Sequence, residues 1–126
     1  MRALSERHVV VCVDDEPAVL AALRRALRNE PYQVLTTSRP EEALRWVGNL
    51  DVSLVVSDQR MPERLGTDLL ADVLLRSPGT SRVILTAYAG GTARIPGLQQ
   101  TVDCMISKPW DTQMLKGTIR DMLRHR

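Results

Sequence analysis

The stretch that decides the fold is Val9–Asp15, which reads VVVCVDD. Its first part is an apolar run rich in β-branched residues, which favours a β-strand. Two carboxylates, Asp14 and Asp15, follow this run directly. In a parallel α/β sheet the carboxyl ends of the strands open onto one edge, where such folds bind their ligands. The stretch therefore predicts a strand that delivers two acids to a binding edge.

Three other short apolar runs also end on residues that can interact with phosphate or metal, namely Asp58, Thr86 and Lys108. The runs are Val52–Asp58, Arg82–Ala87 and Cys104–Pro109. If all four strands are parallel, three acids, a hydroxyl and an amine meet in one cleft. Three carboxylates repel one another unless a cation neutralises them, and Mg²⁺ or Mn²⁺ suits such oxygen ligands.

Three of these residues also have a simpler explanation when they are taken alone. Asp15 lies just before Pro17 and could cap a helix. Thr86 could be an ordinary strand residue, and Lys108 an ordinary surface lysine. Helix capping accounts for one acid but not for three at strand ends, so the combined pattern favours a binding site.

Strand-like and helix-like runs alternate five times along the chain, which predicts β–α repeats around a parallel sheet. The predicted strands are Val9–Val13, Tyr32–Thr36, Val52–Ser57, Val83–Leu85 and Cys104–Ser107. The clearest predicted helices are Pro17–Asn29, Pro40–Val47, Thr67–Arg76 and Thr112–Arg124. Between Tyr88 and Asp103, glycine and proline interrupt the helical pattern, so we expect a short, irregular or displaced fourth helix.

Two helix starts carry recognisable sequence signals. Ser38 to Glu41 form a capping-box pattern with a proline inside the helix start, and Asp111 is the expected N-cap of the last helix. The apolar residues that this last helix is expected to bury are Met114, Leu115, Ile119, Met122 and Leu123.

Length and composition exclude several classes of function. A chain of 126 residues predicts one domain over residues 1–126, and its net charge of +2 is too balanced to indicate direct binding of nucleic acid. We interpret its basic clusters as solvated helix faces: Arg24, Arg25, Arg28, Arg120, Arg124 and Arg126.

No run approaches the ~18 apolar residues of a membrane span, and Met1–His8 lacks a signal-peptide core, so we expect a cytoplasmic protein without membrane contact. Cys12 and Cys104 lie in apolar runs and are expected to pack as free thiols.

In order and spacing, these motifs resemble the receiver domain of two-component response regulators. The motifs are Asp14-Asp15, Asp58 with Met61-Pro62 and Gly66, Thr86-Ala87, and Lys108-Pro109, and the match covers Val9–Leu123. The resemblance implies a flavodoxin-like, doubly wound α/β fold. Its five parallel strands would have the order 2-1-3-4-5, with helices on both faces.

The resemblance also implies a role for each site residue. Asp58 would accept a phosphoryl group from a sensor histidine kinase or a histidine phosphotransfer protein. Asp14, Asp15, Asp58 and the backbone carbonyl of Arg60 would hold Mg²⁺ or Mn²⁺. Lys108, followed by a cis peptide bond to Pro109, would contact the phosphoryl group, and Thr86 would switch towards it.

The implied protein is a signalling module and not an enzyme. Its output domain or protein would not be present in this chain, and a homodimer is a further expectation. A phosphatase with an aspartyl phosphate intermediate is disfavoured, because such enzymes need a second acid just after the nucleophile, whereas Arg60 stands two residues after Asp58.

Two features depart from the family pattern. Met105 replaces the tyrosine or phenylalanine that often lies three residues before the lysine, and the segment Gly90–Gly97 interrupts the fourth helix. These departures keep a second hypothesis open, namely a receiver-like interaction module that acts without phosphorylation. Arg60 and Tyr88 would flank the path of an attacking water, and their bulk predicts slow self-dephosphorylation.

Overall fold

The computed structural model describes residues 8–87 and 98–125. It contains a five-stranded parallel sheet of order β2-β1-β3-β4-β5, which confirms the predicted doubly wound, flavodoxin-like fold. The strands are β1 Val9–Val13, β2 Gln33–Thr37, β3 Leu54–Asp58, β4 Ser81–Thr86 and β5 Cys104–Ser107. The helices are α1 Pro17–Ala26, α2 Pro40–Asn49, α3 Gly66–Arg76, α4 Leu98–Thr101 and α5 Thr112–Arg124.

The sheet separates two hydrophobic clusters, because successive side chains of a strand point to opposite faces. From β1, Val10 and Cys12 enter a cluster with residues of α1 and α5, whereas Val11 and Val13 enter a cluster with residues of α2 and α3. Every residue of β3 is buried, as expected for the central strand of a sheet covered on both faces. Helices on both faces leave the carboxyl edge of the sheet open for the site.

Several predicted boundaries were wrong by one to three residues. β3 is Leu54–Asp58, so it begins two residues later and ends one residue later than the predicted range Val52–Ser57, and Asp58 ends the strand. β4 is longer than predicted because its residues from Ser81 onwards pair with β3. α1 ends at Ala26 and not at Asn29, because the backbone N–H of Arg28 donates to the carbonyl oxygen of Arg25, three residues back, and the α-helical pattern stops there.

The N-cap prediction was correct for α5 and wrong for α2, although α2 begins at Pro40 as predicted. The side chain of Asp111 accepts a hydrogen bond from the backbone N–H of Met114, which confirms its N-cap role. The N-cap of α2 is Arg39 and not Ser38, and no capping-box bond forms. Instead, Oγ1 of Thr37, one residue further upstream, accepts from the backbone N–H of Arg39 at 3.1 Å.

The buried face of α5 was also predicted with one error. Met114 is 50% exposed, whereas Leu115, Ile119 and Leu123 are buried. These three residues recur every four positions and form one stripe, and Met114 lies about 100° around the helix from Leu115.

The fourth helix is short, as predicted: α4 is Leu98–Thr101. The sequence expectations for Tyr88 and for Gly90–Gly97 concern positions outside the described residues. Across the described ranges, no helix is long and apolar enough to cross a membrane. Cys12 is buried and Cys104 is half-buried, and both are free thiols.

Candidate functional site

Three carboxylates meet at the carboxyl edge of the sheet. Asp14 and Asp15 follow β1, and Asp58 ends the neighbouring strand β3. One ligand oxygen from each of the three acids lies within 4.8 Å of the others. Asp14 and Asp58 are buried, whereas Asp15 is half-buried at the rim. The topology therefore brings together acids that are far apart in sequence.

Lys108 connects two of these acids from the end of β5. Its Nζ donates hydrogen bonds to Oδ2 of Asp14 and to Oδ1 of Asp58, both at 2.9 Å. The backbone N–H of Lys108 donates to the carbonyl oxygen of Thr86 at 2.8 Å, which holds the lysine beside the end of β4. The peptide bond from Lys108 to Pro109 is cis.

The local charges shift the pKa values of both partners. Burial raises the pKa of Asp58, the charges of Asp14 and Asp15 raise it further, and the ammonium of Lys108 opposes this shift. Burial alone would lower the pKa of Lys108, but its hydrogen bonds to Asp58 and Asp14 outweigh that effect and raise it. The lysine therefore stays charged.

One ammonium cannot neutralise three carboxylates, so the ionised cluster keeps an excess of negative charge. Oxygen ligands with excess negative charge fit a hard divalent cation such as Mg²⁺. The donor set is therefore chemically suited to the metal that the sequence predicts.

The carboxylate oxygens of Asp14 and Asp58 differ in their hydrogen-bond partners. Oδ1 of Asp14 accepts from the backbone N–H of Glu16 at 2.9 Å, and its Oδ2 accepts from Lys108, so this buried side chain is held at both ends. Asp58 uses Oδ1 for Lys108, and its Oδ2 receives no hydrogen bond from the residues that the structure describes. Asp58 thus presents one carboxylate oxygen for chemistry while the other is fixed.

Thr86 and Met105 lie on the two strands at the far side of the site. Thr86 ends β4, is 2% exposed and pairs with Ser107 of β5. Met105 is half-buried, pairs with Ile84 and packs on the cluster under α2 and α3. The predicted switch residue Thr86 thus lies at the carboxyl end of β4, and Met105 lies on the adjacent strand.

The loop between β3 and α3 forms the remaining wall. Arg60 pairs with Leu65 in an isolated antiparallel bridge, so the backbone of the predicted metal ligand lies in a closed loop. Gly66 begins α3 against β3: a Cβ at this position would lie 2.2 Å from the backbone oxygen of Asp58. Sequence reasoning noted Gly66 as part of a motif but did not identify Gln59, whose side chain contacts α3. The only sequence signal for that contact is a polar residue directly after the strand.

A family model and several relatives match the sequence of this chain. The model of the family described as "Response regulator receiver domain" matches residues 10–120. The transcriptional regulatory protein GlrR of Escherichia coli K12 is 36% identical over 114 residues, which are 90% of this chain and 26% of that protein. The hydrogenase transcriptional regulatory protein HoxA of Cupriavidus necator is 36% identical over 112 residues, or 88% of this chain and 23% of that protein. The chain thus spans about a quarter of the length of these two relatives.

Solved structures show the same fold. The signal receiver domain of an HD domain-containing protein from Pseudomonas fluorescens Pf-5 superposes with a TM-score of 0.88 at 28% identity, covering 99% of this chain and 93% of the other. A CheY-like receiver domain protein from Methanospirillum hungatei gives a TM-score of 0.84 at 27% identity, covering 94% of each chain. With its fold, its acidic cleft and its matched residues, the chain belongs to the response regulator receiver domain family.

Proposed function

We propose that Asp58 accepts a phosphoryl group from the phosphohistidine of a sensor histidine kinase or a histidine phosphotransfer protein, in a reaction that depends on Mg²⁺. The observation that carries the proposal is the contact of Lys108 with both Asp58 and Asp14, with Asp15 completing the acidic cluster. In this reaction, Oδ2 of Asp58 attacks phosphorus, the bond to the histidine nitrogen breaks, and an acyl phosphate forms.

The residues around Asp58 supply positioning and charge. Phosphoryl transfer needs little covalent help from the protein, so catalysis rests on holding the groups in line and neutralising phosphoryl oxygens. Lys108 binds a phosphoryl oxygen, and Asp14, Asp15, Asp58 and the backbone carbonyl of Arg60 hold the cation. When bound, Mg²⁺ would supply positive charge that neutralises these acids and stabilises the negative charge on the phosphoryl oxygens.

Phosphorylation then shifts the population between two conformations. A phosphoryl group adds between one and two negative charges beside the buried end of β4, where the hydroxyl of Thr86 can donate to a new oxygen. Met105, in place of an aromatic ring, changes how this movement passes to β5. An aromatic ring at this position can switch between two packed positions, whereas the flexible thioether has no such pair of positions. The conformational signal on β5 should therefore differ from that in receivers with tyrosine at this position.

We further propose that this chain acts through an output domain or a separate output protein. Its curated relatives are named as transcriptional regulatory proteins, and the chain spans only part of them. A receiver unit over residues 1–126, a homodimer, a cytoplasmic location and the absence of direct contact with nucleic acid or membrane stay predictions. So does slow self-dephosphorylation, which depends partly on Tyr88.

The test is phosphorylation with a small-molecule donor. Purified protein is incubated with acetyl phosphate and Mg²⁺, and intact mass is recorded for the wild type, Asp58→Ala and the control Asp51→Ala. Asp51 is an exposed acid near the amino end of β3, at the opposite edge of the sheet. We expect a gain of one phosphoryl group in the wild type and in Asp51→Ala, and none in Asp58→Ala or when EDTA removes the metal.

The second hypothesis, an interaction module that acts without phosphate, rests on two departures of the sequence from the family pattern, namely Met105 and the segment Gly90–Gly97. It predicts no mass gain in the wild type at any donor concentration. That result would overturn the proposed function. A gain that persists in Asp58→Ala would instead show that another residue is the acceptor.

A further inference from the structure

The loop between β3 and α3 is closed by a side chain that the proposed reaction does not use. Gln59 follows Asp58 directly and is 6% exposed. Its Oε1 accepts a hydrogen bond from the backbone N–H of Thr67 at 2.9 Å, and its Nε2 donates to Oγ1 of Thr67 at 3.3 Å. Because a backbone N–H can only donate, the atom that accepts from Thr67 must be the oxygen, and this fixes the orientation of the carboxamide.

The backbone of Gln59 holds the neighbouring amide of α3. Its carbonyl oxygen accepts from the backbone N–H of Gly66 at 2.9 Å. The first N–H groups of a helix have no partner within the helix, and the N-cap residue Leu65 provides no side-chain acceptor. Gln59 therefore accepts hydrogen bonds from the first N–H groups of α3, as an N-cap residue would, although it lies outside the helix. These bonds connect the start of the loop to its end.

We propose that Gln59 is a positioning residue for the cation site. By closing the loop onto α3, it fixes the backbone that carries the carbonyl group of Arg60. The inference rests on the proposed function, in which that carbonyl is a metal ligand beside Asp58. Gln59 itself contacts neither the cation nor the phosphoryl group.

The physical reason is preorganisation. Two anchored ends and the bridge from Arg60 to Leu65 restrict the loop to few backbone conformations, so a bound cation has less chain to order. Residues that orient metal ligands typically change metal affinity by roughly 10- to 100-fold when they are removed. Because Gln59 acts through the backbone, we expect an effect of about tenfold, at the lower end of that range.

The first experiment compares Gln59→Met with Thr80→Val by calorimetric titration with Mg²⁺. Thr80 is a matched control because it is fully buried and its Oγ1 donates to the carbonyl oxygen of Val52 at 2.7 Å, at the opposite edge of the sheet. Both variants lose a buried hydrogen bond. We expect the Kd for Mg²⁺ to rise about tenfold in Gln59→Met and to stay unchanged in Thr80→Val. Equal affinity in the wild type and both variants, with both destabilised, would show that Gln59 has only a structural role.

The second experiment needs no variant, so it holds even where Gln59→Met does not fold. If the closed loop binds Mg²⁺ more tightly, Mg²⁺ must stabilise the closed loop by the same factor. Hydrogen exchange in the wild type should then slow at the amides of Gly66 and Thr67 when Mg²⁺ is added. The control is the amide of Ser77, which donates to Val73 at the other end of α3. Equal slowing at all three amides, or none, would overturn the proposal.

Failure of this inference is distinguishable from failure of the proposed function. If the wild type is phosphorylated on Asp58 but Gln59→Met keeps full Mg²⁺ affinity, only the positioning role is wrong. If the wild type neither binds Mg²⁺ nor gains a phosphoryl group, the proposed function fails and the positioning role fails with it.

Discussion

Replacing Gly66 by alanine tests how tightly α3 packs against β3, the strand that ends on the proposed phosphoacceptor Asp58. A Cβ at this position would lie 2.2 Å from the backbone oxygen of Asp58 and 2.9 Å from Cδ1 of Ile84. The Ile84 methyl group is the end of a side chain and can move. The carbonyl of Asp58 belongs to β3, which is paired with β1 on one side and β4 on the other, so it cannot move without disturbing the sheet.

The expected cost follows from this geometry. A carbon atom normally approaches a carbonyl oxygen no closer than about 3.3 Å, so the contact requires a shift of about 1 Å. Overpacking a well-packed core costs about 1–3 kcal/mol and occasionally more. Because the backbone fixes the positions of both the Cβ atom and the carbonyl oxygen, we expect about 3 kcal/mol for Gly66→Ala. For a chain of this size that corresponds to a fall in Tm of about 12 °C.

Gly117→Ala is a matched control that should raise the stability and not lower it. It lies inside α5, and a Cβ there would meet nothing within 4 Å. Alanine is favoured over glycine in a helix interior by about 0.8–1 kcal/mol. Gly117→Ala should therefore raise Tm by about 4 °C.

The assay is thermal and urea-induced unfolding of both variants, followed by phosphorylation of Gly66→Ala below its Tm. Phosphorylation should be slower in that variant because the shift displaces Asp58, the proposed acceptor. The packing argument would be refuted if Gly66→Ala stayed within about 1 kcal/mol of the wild type, or if both alanine variants were destabilised equally.

Two further predictions concern buried polar groups. Lys108→Ala leaves the fully buried carboxylate of Asp14 without its ammonium partner. Removing one partner of a buried ion pair costs about 3–5 kcal/mol, and we expect the free energy of unfolding to fall by about 3 kcal/mol without Mg²⁺. With Mg²⁺ the fall should be smaller, because the cation offsets the charge of the carboxylate. A loss in urea-induced unfolding that Mg²⁺ does not reduce would contradict this expectation. Tyr32 buries a phenolic oxygen that has no hydrogen-bond partner among the described residues, and leaving such a group unsatisfied costs about 1–3 kcal/mol. Tyr32→Phe should therefore raise the free energy of unfolding by about 1 kcal/mol, and a decrease of that size would show that the hydroxyl is satisfied.

Much of the fold could be predicted because its signals are local. The apolar run Val9–Val13 and the proline at the start of α1 reflect the preferences of short segments, and both elements begin where they were predicted. The strand order was inferred from the resemblance to receiver domains, since periodicity alone does not say which strands are neighbours. The burial of Met114 was predicted wrongly because it depends on how α5 is rotated against the sheet.

The contacts between distant segments could not be predicted. Arg120 was assigned to a solvated helix face, but its Nε donates to Oε1 of the buried Glu30 at 2.7 Å, although 90 residues separate them. No local pattern encodes such a pair, because each residue alone has the character of a surface charge. The same holds for the carboxamide of Gln59, whose partners belong to the next helix.

The sequence by itself determined which residues end the strands, and hence that Asp14, Asp15, Asp58 and Lys108 share one edge. The physical reason is that parallel strands place their carboxyl ends at the same edge of the sheet, regardless of the segments that connect them. Only the tertiary structure decided that Lys108 reaches Asp14 and Asp58 at the same distance, and that Gln59 closes the loop beside them. Those contacts depend on strand order, register and side-chain direction, which are set by packing of the whole chain.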